Sequence, residues 1–149
     1  MVRLVLAFAL AALTVLSALS LDARFAAVQA GDAMDCIIGS VEARFRGCSQ
    51  IIKSGRWFGK PIPKNKLSVI HNSRGGAYHG RGEYDLAIAD FDKAIKLDPK
   101  YASPYSNRGL AYEKIGQRDK AIADYRKAIE LHPRDSVATS GLKRLGVTP

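Results

Sequence analysis

Apolar residues recur at three- and four-residue intervals through the second half of the chain. Ile122, Tyr125 and Ile129 follow this spacing, and with Tyr112 on the segment before them they form one apolar stripe. A stripe of this kind is typical of amphipathic helices that pack on a neighbour. Because it returns at one phase, we interpret its tyrosines as core residues.

The residues between these segments mark the ends of two helices. Gly116 lies where a helix can end in a left-handed conformation. Pro133 disfavours helical backbone in the residue before it and so stops the second segment. The pattern predicts one helix over residues 102–115 and another over 118–131.

The same pattern occurs twice, 34 residues apart. Residues 86–99 read LAIADFDKAIKLDP, and residues 120–133 read KAIADYRKAIELHP. When residues 68–101 are aligned with 102–135 without a gap, 15 of 34 positions are identical. Self-similarity at this period is typical of solenoids, in which each helix pair buries its apolar stripe against the next. We therefore predict that the two copies stack on one another.

Each copy resembles the tetratricopeptide repeat, whose pattern is an aromatic residue, then Leu-Gly, Tyr, Ala, Phe, Ala and Pro at fixed places. In the first copy these places hold His71, Arg74, Gly75, Tyr78, Ala87, Phe91, Ala94 and Pro99. In the second they hold Tyr105, Arg108, Gly109, Tyr112, Ala121, Tyr125, Ala128 and Pro133. Both copies have arginine where the pattern has leucine, and the first also lacks the leading aromatic. The resemblance implies an all-α fold, a helix-turn-helix solenoid.

Two repeats leave two apolar ends to cover. At the C-terminal end, residues 136–149 predict a short capping helix and a tail, with Val137, Leu142 and Leu145 on the last repeat. At the N-terminal end, residues 31–67 predict a degenerate helical unit followed by a basic connector. Its helix, 41–55, carries Phe45, Cys48, Ile51 and Ile52 on one face and ends at Gly55.

The first thirty residues have the order of a secretory signal peptide. Arg3 is followed by an uncharged apolar run from Leu4 to Leu21, and small residues precede a cleavage site after Ala30 or after Ser20. A retained membrane anchor is the alternative. We expect cleavage near Gly31 and an exported protein, most simply periplasmic.

The two cysteines, Cys36 and Cys48, lie twelve residues apart. In an exported protein such a pair can form a disulfide. Zinc is a poorer interpretation because two thiols need two further ligands. Catalytic redox pairs are usually separated by two residues. We predict a structural disulfide that pins the N-terminal unit.

Charge is distributed unevenly along the 149-residue chain, whose formal net charge is +9. Residues 43–82 contain no acidic residue and nine basic ones: Arg44, Arg46, Lys53, Arg56, Lys60, Lys64, Lys66, Arg74 and Arg81. Within this block, residues 56–66 predict an extended connector in which Trp57 and Phe58 interrupt the basic residues. The simplest interpretation is a solvated connector whose two aromatic rings lie on the degenerate unit. An anionic envelope partner (a lipid surface, a polymer or an acidic protein) and, less readily, nucleic acid are the alternatives.

The sequence shows no arrangement typical of an enzyme or a metal site. His71 and His79 are eight residues apart on one predicted helix, too far to share a metal ion. Asp90, Asp92 and Asp124 lie on helix faces that we expect to be solvated. We therefore expect no catalytic site, no metal and no cofactor.

By its resemblance to the family, the chain is expected to bind a peptide segment in a concave groove. Ten residues stand at the groove-facing repeat positions: Val69, Asn72, Gly76, His79, Gly80, Ser103, Ser106, Leu110, Glu113 and Lys114. Family members that clamp a C-terminal carboxylate have lysine and asparagine at particular groove positions, and here only Asn107 fits that pattern.

The function we predict is a non-enzymatic adaptor or scaffold for protein–protein interaction in the cell envelope. The alternative is an envelope-associated protein that binds an anionic polymer or lipid surface through residues 43–82. An incompletely covered solenoid end also makes self-association a candidate.

Overall fold

The computed structural model describes residues 27–28 and 30–148. Nine elements follow one another: α1 (30–38), α2 (Val41–Ser54), β1 (Arg56–Trp57), β2 (Lys60–Pro61), α3 (Lys64–Gly80), α4 (Tyr84–Leu97), α5 (Ala102–Lys114), α6 (Arg118–Leu131) and α7 (Ser136–Arg144). Each helix from α2 to α6 packs on the next helix in the chain, and α3 also contacts α5. The predicted all-α solenoid is therefore confirmed.

Helix ends fall where the sequence indicates them. Gly116 has a φ of 75° and Gly55 a φ of 65°, both in the left-handed region that favours glycine. The Gly55 amide donates to the carbonyl of Ile51 and closes α2. Helix α6 ends at Leu131, two residues before Pro133.

The two helices of each repeat approach closely because a glycine faces an aromatic ring. A Cβ added to Gly75 would lie 2.6 Å from the Phe91 ring, and one added to Gly109 would lie 2.7 Å from the Tyr125 ring. Phe91 and Tyr125 are both fully buried. The two copies thus repeat one packing contact, which explains why both keep Arg-Gly followed by an aromatic residue at the same phase.

Helix α7 covers the open side of the second repeat. Leu142 and Ala138 are fully buried against α6, and Leu145 packs at the edge of the same cluster. The prediction for Val137 is wrong, because its side chain is 37% exposed. Asp135 caps the helix by accepting a hydrogen bond from the Ala138 amide, and this start turns Ala138 inward instead of Val137.

The N-terminal unit is a helical hairpin, α1 and α2, joined by the predicted disulfide between Cys36 and Cys48. Both cysteines are fully buried, in a cluster with Ala33, Ile51 and Ile70. Helix α1 carries no repeat motif and was not foreseen. The signal peptide predicted over residues 1–30 lies outside the described residues, apart from the helical residues 27, 28 and 30. Within the described ranges, no helix is both long and apolar enough to cross a bilayer.

The segment after α2 is a short hairpin, where the sequence predicted an extended connector. Arg56 pairs with Pro61 and Trp57 with Lys60 in an antiparallel register. Trp57 packs on the cysteine cluster, as expected. Phe58 does not, since it sits at the turn with a φ of 49° and is 54% exposed.

Candidate binding groove

Arginine replaces the family's leucine in both repeats, and in each it forms a buried ion pair. The Arg74 guanidinium donates from Nε to Asp90 Oδ2 at 2.7 Å and from Nη2 to Asp90 Oδ1 at 2.9 Å. Asp90 Oδ1 also lies 3.0 Å from Nδ1 of His71. Asp90 is only 2% exposed, so the prediction of a solvated carboxylate is wrong. Burial alone raises the pKa of Asp90, but the hydrogen bonds from Arg74 and His71 outweigh it and hold that pKa below its usual value.

The second repeat contains the same pair 34 residues later. Arg108 donates from Nε and Nη2 to the two oxygens of Asp124, at 2.8 and 2.7 Å. It also donates from Nη1 to Asp92, the one predicted surface acid that is exposed. Asp124 is 6% exposed, which again contradicts the sequence prediction. The second Arg–Asp pair therefore ties α5 to α6 as the first ties α3 to α4.

A cavity of about 320 Å³ opens on the inner side of the first repeat. It is lined by Ile37, Arg44, Asn72, Ser73, Gly76, His79, Phe91, Asn107 and Leu110. These residues come from the N-terminal hairpin (α1, α2), from the first repeat (α3, α4) and from the first helix of the second repeat (α5). We call this cavity the groove.

Two asparagines join the repeats at the groove. Asn107 donates from Nδ2 to Asn72 Oδ1 at 3.0 Å, and Asn72 donates from Nδ2 to the Tyr101 hydroxyl at 3.2 Å. A side-chain amide has two donor hydrogens and an acceptor oxygen with two lone pairs. One donor of each amide therefore remains for a ligand, together with acceptor capacity on Asn107.

Two basic side chains in the groove have buried nitrogens without hydrogen-bond partners among the described residues: Nε of Arg44 and Nε2 of His79. Arg44 donates from Nη2 to the Gly39 carbonyl at 3.3 Å, which holds its side chain in place. Its Nη1 would lie 3.8 Å from a Cβ on Gly76, so it reaches across this glycine. Burial and then the charge of Lys114 lower the pKa of His79, and the ring is neutral at pH 7. Buried polar atoms normally find partners, so these two nitrogens indicate where a ligand can add hydrogen bonds.

The structure brings together four of the ten residues predicted for the groove, namely Asn72, Gly76, His79 and Leu110. The other six do not line it. Ser106 is buried and donates to the Ser103 carbonyl at 3.1 Å. Glu113 is held by Arg144 at 3.0 Å and by the Tyr125 hydroxyl at 2.8 Å. Val69, Gly80, Ser103 and Lys114 lie outside the cavity.

Sequence reasoning missed part of the groove wall. Ile37 and Arg44 belong to the hairpin α1–α2, whose sequence has no repeat phase from which an inward side could be assigned. Asn107 was available, since it stands at a position where carboxylate-clamping relatives have asparagine. Ser73 precedes Arg74 and carried no signal of its own.

The nine residues of the predicted basic patch divide into two sets. Arg44 points into the groove, Arg74 is paired with Asp90, and Arg81 lies 2.7 Å from Glu83 and over the Phe45 ring. The side chains of Arg46, Lys53, Arg56, Lys60, Lys64 and Lys66 are exposed. The block without acids in the sequence is thus partly neutralised in the fold by acids from outside it.

Comparison with known proteins decides the family. Residues 75–116 match the family model described as TPR repeat, and residues 102–135 match the one described as tetratricopeptide repeat. The chain is a tetratricopeptide repeat protein. No curated protein sequence matches it. Within the described residues, no three His, Cys, Asp or Glu side chains are grouped so as to hold a metal ion.

Solved tetratricopeptide domains share this fold. The Arabidopsis OM64 TPR domain superposes with a TM-score of 0.66 at 22% identity, over 83% of this chain and 96% of that one. The first TPR domain of Spaghetti (RPAP3), bound to the HSP90 peptide SRMEEVD, gives a TM-score of 0.59 at 24% identity over 70% and 79%. An O-GlcNAc transferase from Thermobaculum terrenum gives 0.63 at 29% identity over 81% of this chain and 22% of the enzyme. The last match covers about a fifth of that enzyme.

Proposed function

We propose that this tetratricopeptide repeat protein is a non-enzymatic interaction module that holds an extended segment of a partner protein in the groove. The observation that carries the proposal is a cavity of about 320 Å³ that combines a pair of partly used asparagine amides with two unpartnered buried nitrogens. A related domain bound to a peptide, the Spaghetti domain, supports the same use of the fold.

The groove chemistry fits a peptide backbone with one apolar anchor. The spare amide hydrogens of Asn72 and Asn107 and the acceptor oxygen of Asn107 can bond peptide carbonyl and amide groups. Arg44 adds a charged donor at one end. Leu110, half-buried, and Ile37, 49% exposed, offer apolar surface for a side chain. Removal of that surface from water favours binding.

The experiment captures partners from an envelope extract with the oxidised chain at low and high salt, then measures the affinity for a peptide from the retained protein. We expect Leu110→Glu or Asn72→Ala to weaken the Kd at least about ten-fold, which is about 1.4 kcal/mol. Leu86→Glu is the matched control, since Leu86 is 49% exposed and lies outside the groove. Its Kd should stay within about two-fold of the unmodified chain.

The same experiment separates this proposal from binding through residues 43–82. Binding to an anionic polymer or lipid surface would weaken steeply with ionic strength and would ignore both groove variants. That alternative has less support because Arg44, Arg74 and Arg81 are engaged elsewhere in the fold. A partner that behaved in this way would overturn the groove proposal.

We also propose that the protein is exported and works in the periplasm. The pattern of residues 1–30 supports this, and so does the buried Cys36–Cys48 disulfide, because disulfides persist in oxidising compartments. We expect the protein recovered from the periplasm to have the intact mass of a chain that begins near Gly31 and no titratable thiol. A chain that retains residue 1, or two free thiols after denaturation, would contradict export with cleavage.

A further inference from the structure

We propose that a second cleft, between α3 and α4, binds an anionic amphiphile, namely an aliphatic chain that ends in a carboxylate. The cleft measures about 420 Å³ and is lined by Lys64, Leu67, His71, Lys93, Lys96 and Leu97. It shares no lining residue with the groove. The proposal is therefore independent of peptide binding.

The cleft exists because His71 replaces the leading aromatic residue of the repeat. In the second repeat the same place holds Tyr105, whose hydroxyl donates to the Pro99 carbonyl at 3.2 Å. The smaller ring of His71 instead turns Nδ1 towards Asp90, at 3.0 Å. The second repeat also has Tyr101 where the first has Leu67. Two large aromatic side chains thus stand where the first repeat has a smaller pair, which leaves the space between Leu67 and Leu97 open.

The walls of this space are apolar. Leu67 and Leu97 are both half-buried, and the buried edge of His71 forms the floor between them. Apolar surface in a concave site favours a ligand that carries hydrocarbon. A narrow opening between two leucine side chains suits a single aliphatic chain.

The rim of the cleft is positively charged. Within residues 27–28 and 30–148, none of the ammonium groups of Lys64, Lys93 and Lys96 forms a salt bridge. The nearest acid in the repeat, Asp90, is already neutralised by Arg74. Three unpaired cations around an apolar cleft complement a single anionic head group.

The second repeat again provides the contrast. The residues equivalent to these three lysines are Asp98, Lys127 and Glu130. Lys127 there lies 2.7 Å from Glu130, so its charge is paired. The first repeat therefore differs from the second in both features that an anionic amphiphile needs, the open apolar space and the positive rim.

The experiment titrates the full chain with decanoate, decanol and decyltrimethylammonium by calorimetry, at low salt and below micelle-forming concentrations. The three probes share one chain length and differ in head group. We expect saturable binding of one decanoate, with decanol at least about ten-fold weaker and no measurable binding of the cation. Equal affinity for decanoate and decanol would overturn the proposal.

Variants taken from the second repeat locate the site. His71→Tyr should fill the cleft and weaken decanoate binding at least about ten-fold, while Arg74 keeps Asp90 paired as Arg108 keeps Asp124. Lys93→Glu should weaken binding about five-fold, whereas Lys127→Glu, the same change at the equivalent position, should leave the Kd unchanged. If His71→Tyr fails to fold, the two lysine variants decide alone. Decanoate that binds elsewhere, for instance on apolar residues 4–21, would respond to none of these changes and would overturn the proposal.

Discussion

Replacement of Arg74 by leucine, the family's own residue at this place, is expected to lower the free energy of unfolding by about 3 kcal/mol or more. The change restores the repeat pattern, yet it leaves the Asp90 carboxylate, 2% exposed, without its charged partner. Removal of one member of a buried pair costs more than removal of both, because the remaining charge stays desolvated. Urea unfolding followed by circular dichroism measures the loss.

Two variants test the cause of that loss. Arg74→Leu combined with Asp90→Ala should recover most of the stability, because no buried charge remains. Arg126→Leu is the control, since Arg126 is exposed, and it should change the free energy of unfolding by less than about 0.5 kcal/mol. A double variant as unstable as the single one would show that Arg74 acts through its packing instead of its charge.

Acid should expose the same pair. The pKa of Asp90 is lower in the folded chain than in the unfolded one, so its ionisation stabilises the fold above the unfolded pKa of about 3.9. This contribution is lost as the pH falls through the folded pKa. The unmodified chain should therefore lose stability below about pH 4 more steeply than the double variant.

Replacement of Tyr125 by alanine is expected to destabilise the protein by about 3–5 kcal/mol, the cost of removing a large buried aromatic side chain. The ring lies between two glycines of different helices. A Cβ on Gly109 would lie 2.7 Å from Cε1, and one on Gly141 would lie 2.4 Å from Cε2 and Cζ. The ring thus joins the second repeat to its capping helix. Thermal unfolding should show a clear fall in Tm.

Matched glycine variants separate this close packing from helix propensity. Gly109→Ala places a methyl group against the Tyr125 ring and should cost about 1–3 kcal/mol. Gly76→Ala lies in the preceding repeat, where the nearest atom would be Arg44 Nη1 at 3.8 Å, so it should be neutral or slightly stabilising. Equal effects of the two changes would contradict the packing described for Tyr125.

The fold could be predicted from sequence because its information is local and repeated. Gly75 and Gly109 recur 34 residues apart, each in phase with the aromatic ring that it meets. The helix ends at Gly55 and Gly116 follow from backbone conformations that glycine adopts most easily. These features need only neighbours within one helix pair.

The buried ion pairs were missed although the sequence contains their signal. Both copies have arginine at the leucine position and aspartate sixteen residues later, as in Arg74 with Asp90 and Arg108 with Asp124. Two coordinated departures from a family pattern are best explained by contact between the departing residues. Treated one residue at a time, the aspartates resembled ordinary surface acids.

The groove was only partly predictable because one of its walls lies outside the repeats. Ile37 and Arg44 reach it through the hairpin α1–α2, whose position depends on the disulfide and on the close fit of Gly47 against the Asp32 carbonyl. No local pattern in that hairpin marks which side faces inward. Repeat positions alone therefore extended the predicted groove too far along α5, to Glu113 and Lys114.

The most direct test of the groove is the ¹⁵N–¹H spectrum of the oxidised chain with and without the partner peptide at saturation. The account predicts that the largest shifts fall on the side-chain amides of Asn72 and Asn107 and on the Gly76 backbone amide. Shifts concentrated on Lys53, Gly55 and Gly59, with the asparagine amides unmoved, would place binding on the basic segment and contradict a groove-binding module.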